Sequence, residues 1–280
     1  MTVLVTGASG NVGRRLSSLL VQRGIPVRAL VRTHSRDAVA DVEVAVGDYA
    51  DRASLNAALR GVTRAFMVCL PEAAPGRLIK HENFVEAASA AGVEHLVYLS
   101  FLRPSPPAGF PQARWHAHTE AAIDRAGLSR TFLRVSLYQT SLLNSAGILE
   151  NDLLLAPAGT GQVAAVARED IAAVAAAVLT QPLPERGDAY DVTGPDLLTW
   201  HDIAQVVSAH TGRATRYQEI TPESFAAKLR AAGRPADLID GMIGLFTDIR
   251  HGHLAVRTDA VRQLTGHEAT ALEQWLRPGA

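Results

Sequence analysis

The stretch that decides the fold lies at the N-terminus and reads Thr2-Val3-Leu4-Val5-Thr6-Gly7-Ala8-Ser9-Gly10-Asn11-Val12-Gly13. An apolar run leads directly into three glycines with the spacing Gly-x-x-Gly-x-x-Gly. An amphipathic helical pattern follows at once, with Leu16, Leu19 and Leu20 on one face. A strand, a glycine turn and a helix in this order are the context in which such glycines indicate dinucleotide binding.

Each of the three glycines is expected to have its own physical task. Gly7 permits the sharp turn out of the strand, Gly10 lets the main chain approach a pyrophosphate, and Gly13 lets the helix pack closely on the strand. The helix N-terminus offers free N–H groups and a positive dipole end to the phosphates. The predicted cofactor-binding residues in this stretch are Thr6, Gly7, Ser9, Gly10, Asn11, Val12 and Gly13.

Composition narrows the class of protein. The chain has 280 residues, of which 48% are hydrophobic, enough for one sizeable core with a smaller appendage. The net charge of −1 provides no basic field for nucleic acid or an anionic membrane. The single cysteine, Cys69, excludes an intramolecular disulfide and fits a reducing compartment, so we expect a cytoplasmic protein. The sequence indicates neither a membrane span nor a signal peptide.

Strand and helix patterns alternate along the first half of the chain. Beyond the N-terminal strand, the patterns predict strands at residues 25–31, 42–46, 65–70, 93–100 and 129–135. The run at 65–70 is apolar throughout, as expected of a strand covered on both faces, and it includes Cys69. Helices are predicted at residues 54–59, 77–91 and 112–126. This alternation predicts an α/β fold with a Rossmann-like, doubly wound parallel sheet.

The rhythm changes after residue 135. Short strands are predicted at 153–155 and 162–166, Asp170 is expected to cap a helix over 171–179, and residues 189–192 are expected to return to the main sheet. Helices predicted at 200–210, 222–232, 236–249 and 268–276 form a small, mostly helical C-terminal lobe. We therefore expect a dinucleotide-binding domain over 1–194, in which 136–162 contribute to the substrate cleft, and a substrate-binding lobe over 195–280.

Several further segments are similar to the signatures of one family. They are Ala29-Leu30-Val31-Arg32, Gly47-Asp48, Val97-Tyr98-Leu99-Ser100, Phe132-Leu133-Arg134, Asp191-Val192-Thr193-Gly194-Pro195 and Leu264-Thr265-Gly266-His267. With these segments the chain resembles the NmrA-like, atypical short-chain dehydrogenase/reductase family over essentially its whole length. That family includes NAD(P)H-dependent quinone reductases, isoflavone-reductase-type enzymes and redox-sensing regulators without turnover. The resemblance implies a dinucleotide cofactor and leaves the activity open.

The end of the second strand bears on the choice of cofactor. NAD-preferring sites usually place a carboxylate there, whereas this chain has Arg32, then Thr33 and Arg36, and no acid before Asp37. A guanidinium can bind a 2′-phosphate in bidentate fashion, so NADP(H) is favoured over NAD(H). A solvated surface arginine is the alternative. The resemblance further places Asp48 and Tyr49 beside the adenine, Cys69, Leu70 and Pro71 along the nicotinamide half, and Ser100 near the ring.

Reduction of a carbonyl or quinone needs a proton or a positive charge at the oxygen that receives the electrons. The Tyr-x-x-x-Lys pair of ordinary short-chain enzymes is missing, because residues 112–126 contain neither tyrosine nor lysine. The candidates are Ser100 after the fifth strand, His116, which the resemblance aligns with a catalytic position, and the phenol of Tyr138. Glu120, one turn beyond His116, is expected to orient or charge the imidazole. The alternatives are an exposed helix-stabilising pair for His116 and Glu120, and a cleft-wall aromatic for Tyr138.

An apolar pocket and a histidine pair complete the candidate features. The residues that could line the pocket are Phe101, Trp115, Tyr138, Leu142, Met242 and Phe246, with ordinary core as the alternative and the better interpretation for Met242 and Phe246. Val135 and Ser141 stand where the family often has proline and asparagine, so no particular substrate is transferred. The pair in His251-Gly252-His253 has no nearby third ligand, and no metal site is predicted.

Together these features predict a flavin-free NAD(P)H-dependent oxidoreductase that reduces a quinone or an aromatic, polyketide-like ketone. A first alternative is an NADP(H)-binding redox sensor of the NmrA type, favoured by the missing tyrosine–lysine pair. A second is an NAD(P)H-linked oxygenase acting on an aromatic polyketide. The expected partner is a small aromatic substrate, with no direct binding to nucleic acid or membrane. A homodimer would be common for such a fold.

Overall fold

The computed structural model describes residues 1–32, 42–145, 148–183 and 187–277. The strands are β1 Val3–Thr6, β2 Val27–Val31, β3 Glu43–Val46, β4 Arg64–Met67, β5 His95–Phe101, β6 Arg130–Val135, β7 Ile148–Glu150, β8 Leu153–Ala156, β9 Gln162–Val163, β10 Asp188–Val192, β11 Leu198–Thr199 and β12 Arg216–Glu219. The helices are α1 Asn11–Gln22, α2 Arg52–Leu59, α3 Gly76–Ala90, α4 Pro111–Arg125, α5 Gln139–Ser145, α6 Arg168–Thr180, α7 Trp200–Thr211, α8 Pro222–Ala231, α9 Ala236–Arg250, α10 Ala260–Thr265 and α11 Leu272–Trp275.

The main sheet is doubly wound, as the alternating pattern predicts. Its seven strands lie in the order β10-β6-β5-β4-β1-β2-β3, and every pairing is parallel. The chain builds outward from β1 to β3, crosses back to β4, and then builds in the other direction. The crevice beyond the carboxyl ends of β1 and β4 is therefore the topological switch point, where such sheets bind ligands.

Two helical layers cover this sheet, one on each face, and the side chains of β1 point alternately into the two layers. Val3 and Val5 face the layer that contains Leu16 and Leu20 of α1, whereas Leu4 faces the opposite layer. Successive strand residues point to opposite faces, so a strand buried on both sides needs apolar residues at every position. The first layer is built by α1, α6 and α10, and the second by α2, α3 and α4.

A separate core holds the helical lobe together. Trp200, Phe225 and Phe246 form its centre, with the Trp200 and Phe246 ring centroids 5.5 Å apart. Leu154 and Val163, from the short strands after β6, belong to the same core. The lobe core thus combines chain from both sides of residue 194, the boundary that the sequence predicts and that stays a prediction. The end of the chain then returns to the main sheet, where α10 packs on α6.

Some local expectations are wrong. The strand predicted through residue 70 ends at Met67, so Cys69 lies in the following loop. Asp170 does not cap α6, because the N-cap is Ala167 and the Asp170 carboxylate accepts instead the N–H of Thr270 at 2.7 Å. The helix predicted over 268–276 is only α11. None of the helices in the described ranges combines the length and the hydrophobicity that a membrane span requires.

Candidate active site

The glycine turn has the tight geometry that its sequence predicts. Gly7 has φ +60°, in the left-handed region that favours glycine. A Cβ at Gly13 would lie 2.3 Å from the Gly7 carbonyl oxygen, so α1 packs against the turn more closely than any side chain allows. A Cβ at Gly10 would meet only that same oxygen, at 3.1 Å, so this side of the turn is otherwise open.

No side chain of the described residues caps the N-terminus of α1, which suits it to receive an anion. Its N-cap, Gly10, makes no side-chain hydrogen bond, so the N–H groups of the first turn keep their capacity to bind phosphate. Ser9 and Asn11 are exposed beside it, whereas the Val12 side chain is buried and offers only its main chain. Thr6 is buried, and its hydroxyl accepts the Val68 N–H at 2.9 Å, which joins β1 to the segment after β4.

The predicted residues around the adenine half differ in what they can contact. Arg32 directly follows β2 and is exposed. Thr33, Arg36 and Asp37 lie outside the described residues. Asp48 is partly exposed, and its carboxylate accepts the Ala50 N–H at 2.8 Å.

Tyr49 supports this edge of the sheet from within. Its ring is buried and stacks on Phe84 with centroids 4.8 Å apart. Its hydroxyl donates to the Val68 carbonyl oxygen at 3.4 Å, and burial raises the pKa of the phenol. The ring face is therefore engaged with the protein interior. The predicted contact of Asp48 and Tyr49 with an adenine stays a prediction.

A cavity of about 790 Å³ opens at the carboxyl ends of β4, β5 and β6. The loop after β4, helix α4, the segment after β6 and the first turn of α9 form its walls. Among the predicted residues, those that line it are Cys69, Leu70, Pro71, Ser100, Phe101, Trp115, His116 and Tyr138. The structure thus brings the predicted nicotinamide residues and all three proton-donor candidates together. Leu142, Met242 and Phe246 pack in the lobe core instead, which corrects the Leu142 expectation.

His116 lies on the inner face of α4 and is only 5% exposed. Its Nδ1 is 2.8 Å from the Tyr98 hydroxyl, and its Nε2 is 3.5 Å from Nη2 of Arg77. Burial, and then the charge of Arg77, lower the pKa of His116 well below its ordinary value. Arginine carries only donors, so Nε2 accepts and the proton of the neutral ring lies on Nδ1, directed to Tyr98. The imidazole therefore holds Arg77 and directs no N–H into the cavity.

Glu120 does not orient His116, contrary to the expectation from helical spacing. Its carboxylate receives the Ser100 hydroxyl at 2.7 Å and is gripped by Arg134, with Nη2 2.7 Å from Oε2 and Nε 3.1 Å from Oε1. These hydrogen bonds raise the pKa of Arg134. The O–H of Ser100 therefore donates to Glu120, and Ser100 offers only its oxygen lone pairs to the cavity.

The phenol of Tyr138 is protonated, and its O–H remains available to a ligand in the cavity. It follows β6, and the guanidinium carbon of Arg168 lies 5.1 Å from its ring centroid. Burial raises the pKa of the phenol, so the group is protonated at neutral pH. Within the part of the chain that the structure describes, no acceptor binds its hydroxyl. Of the three candidates, Tyr138 alone presents an unengaged O–H to the cavity.

Sequence analysis did not identify two residues that shape the site, Arg77 and His81 of α3. His81 accepts the Leu70 N–H on Nε2 at 3.1 Å, and its Nδ1 is 2.9 Å from the Thr119 hydroxyl. Burial, and then Arg77, lower the pKa of His81 to about 3, so the ring is neutral and fixes the loop after β4. The spacing of four residues could have placed both side chains on one helix face. It could not have shown that the face borders a cavity.

The loop over residues 102–110 is tied to the helical lobe. The Asp248 carboxylate of α9 accepts the N–H groups of Gly109 at 3.1 Å and Phe110 at 2.9 Å. A Cβ at Gly244 would lie 2.2 Å from the Gly109 carbonyl oxygen, so loop and helix touch through main chain. His253 also contacts Asp248, at 3.3 Å. Over the described ranges, no three or more His, Cys, Asp or Glu side chains cluster as a metal site would require.

These features define a class: a dinucleotide-binding α/β protein in which the glycine turn and a largely apolar cavity share one edge of a doubly wound sheet. The NmrA-like family profile matches residues 1–275, and the chain belongs to that family. This confirms the resemblance read from the sequence.

Relatives and solved structures agree with this membership. The chain is 35% identical to the (4-alkanoyl-5-oxo-2,5-dihydrofuran-3-yl)methyl phosphate reductase of Streptomyces griseus, covering 98% of this chain and 96% of that protein. It is 31% identical to the NAD(P)H azoreductase of Xenophilus azovorans, covering 99% and 98%. An NADPH-dependent quinone oxidoreductase of Escherichia coli, solved in complex with NADPH, superposes with a TM-score of 0.90 at 29% identity, covering 98% of each chain. The predicted fold class is thereby confirmed.

Proposed function

We propose that the chain is a flavin-free reductase that takes hydride from NADP(H) and delivers it to a quinone or another conjugated aromatic acceptor. The observation that carries the proposal is the cavity of about 790 Å³, which lies beside the predicted nicotinamide loop. Its size is typical of sites that enclose a small ligand. Its aromatic lining includes Phe101 and Trp115, which suit a flat acceptor. Three similar proteins are named for reducing an azo compound, a quinone and an oxo-dihydrofuran phosphate.

The residues present fit a bound dinucleotide phosphate. The space left open at Gly10 and the uncapped start of α1 suit a pyrophosphate. Arg32, exposed at the end of β2, suits the additional 2′-phosphate and supports NADP(H) over NAD(H). Leu70, held by His81, would border the nicotinamide half. When bound, the cofactor supplies the hydride.

The chain's own side chains would act at the acceptor oxygen. Tyr138 donates its free O–H there, because its proton is the unengaged one among the three candidates. Ser100 and His116 then act as positioning residues, the first through Glu120 and the second through Arg77. The segment after β6 and the start of α9 line the same cavity and would bound the acceptor on its outer side. The lone thiol supports a reducing, cytoplasmic location.

The decisive experiment follows NADPH absorbance against a panel of quinones, azo dyes and polyphenolic ketones, with dissolved oxygen recorded in the same cuvette. We expect NADPH oxidation that depends on one acceptor class, needs no added flavin and consumes no oxygen. Oxygen uptake in step with oxidation would replace the proposal by the oxygenase alternative. Tight NADPH binding without oxidation by any acceptor would replace it by the redox-sensor alternative.

A variant tests the assigned proton donor. Tyr138→Phe is expected to lower kcat by about a hundredfold, because it removes a positioned hydrogen-bond donor from the acceptor oxygen. The matched control is Tyr190→Phe on β10, whose hydroxyl contacts Asp188 at 3.3 Å, outside the cavity. The control should keep wild-type kcat. A Tyr138→Phe variant with wild-type kcat would remove the phenol from the reaction.

A further inference from the structure

Arg77 is a buried cation without a counter-charge among the residues that the structure describes. The residue is 3% exposed and lines the cavity, yet no carboxylate of the described residues lies within ion-pair distance of its guanidinium. Its Nη2 is 3.5 Å from Nε2 of His116, and its charge acts on the nearby thiol of Cys69 by lowering the pKa of that thiol. Its Nε has no partner within those ranges. Buried arginines are ordinarily paired, because an unpaired charge loses its hydration.

The groups around Arg77 cannot become its counter-charge at neutral pH. Burial raises the pKa of the Cys69 thiol more than Arg77 lowers it. Burial likewise raises the pKa of the Tyr98 phenol. Since His116 also stays neutral, the cluster carries the full positive charge of the guanidinium. Trp115 adds only the face of its ring, with its centroid 5.2 Å from the guanidinium carbon.

Other charges at the cavity do not neutralise this one. Glu72 is paired with Lys80, with Nζ 2.6 Å from Oε2. Asp237 and Asp240 stand on the exposed first turns of α9, at the rim, where water and salt screen their charges. The buried guanidinium is screened far less. An anion inside the cavity would therefore be attracted to Arg77 more strongly than the rim carboxylates repel it.

We propose that Arg77 binds an anionic oxygen group of the acceptor, so that the natural substrate is an aromatic or conjugated acid bearing a carboxylate or a phosphate. This inference rests on the proposed function and adds the substrate class. Both oxyanions match the planar fork of a guanidinium, whose five N–H donors are mostly unused here. Arg77 and Tyr138 line the same cavity, so one molecule presents its acidic group to Arg77 and its reducible group to Tyr138.

Calorimetry on the NADP⁺-loaded protein tests the proposal without turnover. The probes are naphthoate, naphthyl phosphate and naphthamide, which share a ring system and differ in charge. Naphthoate, naphthyl phosphate or both should bind about thirtyfold more tightly than naphthamide, as expected for hydrogen bonds to a charged group. Whichever anion binds more tightly identifies the acidic group. Equal affinity of naphthamide and both anions would overturn the proposal, whether or not the protein is a reductase.

Variants assign the preference to one side chain. Arg77→Gln should abolish the anion preference, and Arg77→Lys should keep part of it, because the charge remains and the fork is lost. The matched control is Arg114→Gln, which removes an equal charge from an exposed arginine whose guanidinium binds the Ala108 carbonyl oxygen at 2.7 Å. The control should change the preference less than about threefold, because its charge is screened.

The remaining outcomes separate the inference from the proposed function. If Arg114→Gln loses the anion preference as fully as Arg77→Gln does, the preference comes from the overall electrostatic potential of the protein. That result would overturn the assignment to Arg77. So would an Arg77→Gln variant that weakens NADPH binding as strongly as anion binding, since the guanidinium would then serve the cofactor. If Arg77→Gln fails to fold, the comparison of the three probes on the wild-type protein still decides. A reductase without anion preference would overturn this inference alone.

Discussion

The two halves of the site are built in different ways. The cofactor edge, residues 6–13 with Arg32, is mostly main chain, and its shape follows from glycines a few positions apart. The acceptor wall, by contrast, is built on two hydrogen-bonded groups, Arg77–His116–Tyr98 and Ser100–Glu120–Arg134, of which Arg77, His116 and Ser100 line the cavity. These side chains come from two helices and two strands and are held together by hydrogen bonds between distant parts of the chain.

This difference decides where each half is vulnerable. A main-chain site fails when a new atom enters it, because the backbone cannot move aside. A side-chain network fails when one member loses its charge, because the remaining groups stay buried without a partner. The cofactor edge should therefore be sensitive to added volume, and the acceptor wall to removed charge.

The largest effect is expected in the acceptor wall. Glu120→Gln removes the charge that binds Arg134 and that accepts the hydrogen bond of the Ser100 hydroxyl, and should lower the free energy of unfolding by about 3 kcal/mol. Urea denaturation measures it. The matched control is Glu82→Gln on α3, whose side chain is 38% exposed and contacts His118 at 2.9 Å. It should lose less than about 0.5 kcal/mol. A Glu120→Gln protein as stable as this control would show that the network is not held by charge.

The sequence predicts the main-chain half of the site better than the side-chain half. The sequence correctly predicts the glycine turn, the parallel strands and the family, because each depends on residues close together in the chain. The sequence also predicts part of the cavity lining, because the carboxyl ends of parallel strands meet at one edge of the sheet. Phe101, Trp115 and Tyr138 do meet there.

The failures concern partners that only the folded chain brings together. Helical spacing pairs His116 with Glu120, but the sheet beneath offers Glu120 an arginine and a hydroxyl, which bind a buried carboxylate better than a neutral imidazole can. The helix predicted from residue 268 starts late because Thr270 donates its N–H and hydroxyl to Asp170. The strand β12 was missed because its polar residues become a strand only by pairing with β8.

The second prediction adds volume to the cofactor edge. Gly13→Ala places a methyl group 2.3 Å from the Gly7 carbonyl oxygen and 2.7 Å from its carbon. We expect the free energy of unfolding to fall by about 2 kcal/mol and NADPH affinity to fall at least tenfold, from overpacking of the turn. The control is Gly241→Ala on α9, where a Cβ would meet nothing closer than 3.8 Å. It should be neutral or slightly stabilising. Equal behaviour of the two variants would contradict the packing argument.

The third prediction removes charge from the one side chain that completes the cofactor edge. Arg32→Ala should raise the Kd for NADPH about twentyfold and leave that for NADH within about twofold, because only NADPH carries the 2′-phosphate. Arg23→Ala, an exposed arginine at the end of α1, is the control and should change neither. Equilibrium fluorescence titration with both dinucleotides measures the effect. Equal losses for the two cofactors would end the 2′-phosphate assignment.

The smallest effect tests whether the two halves are coupled through His81, which holds the loop after β4. The pKa values of His81 and His95 are lowered to about 3 and about 4, chiefly by burial. Below the ordinary value of 6.5 the unfolded chain binds protons that the folded chain does not. Stability is therefore complete above that pH and is lost as the pH falls towards the folded values. From pH 7 to pH 6, each histidine should lower the free energy of unfolding by about 0.7 kcal/mol.

His81→Leu and His95→Leu should each remove this amount from the pH dependence, measured by urea denaturation at the two pH values. Their effects on the cofactor should differ. His81→Leu deprives the Leu70 N–H of its acceptor and should weaken NADPH binding about fivefold. His95 contacts Thr131 at 2.9 Å, away from the cavity, and its variant should bind NADPH as the wild type does. If both variants bind NADPH as tightly as the wild type does, the loop after β4 keeps its shape without the hydrogen bond to His81 of α3.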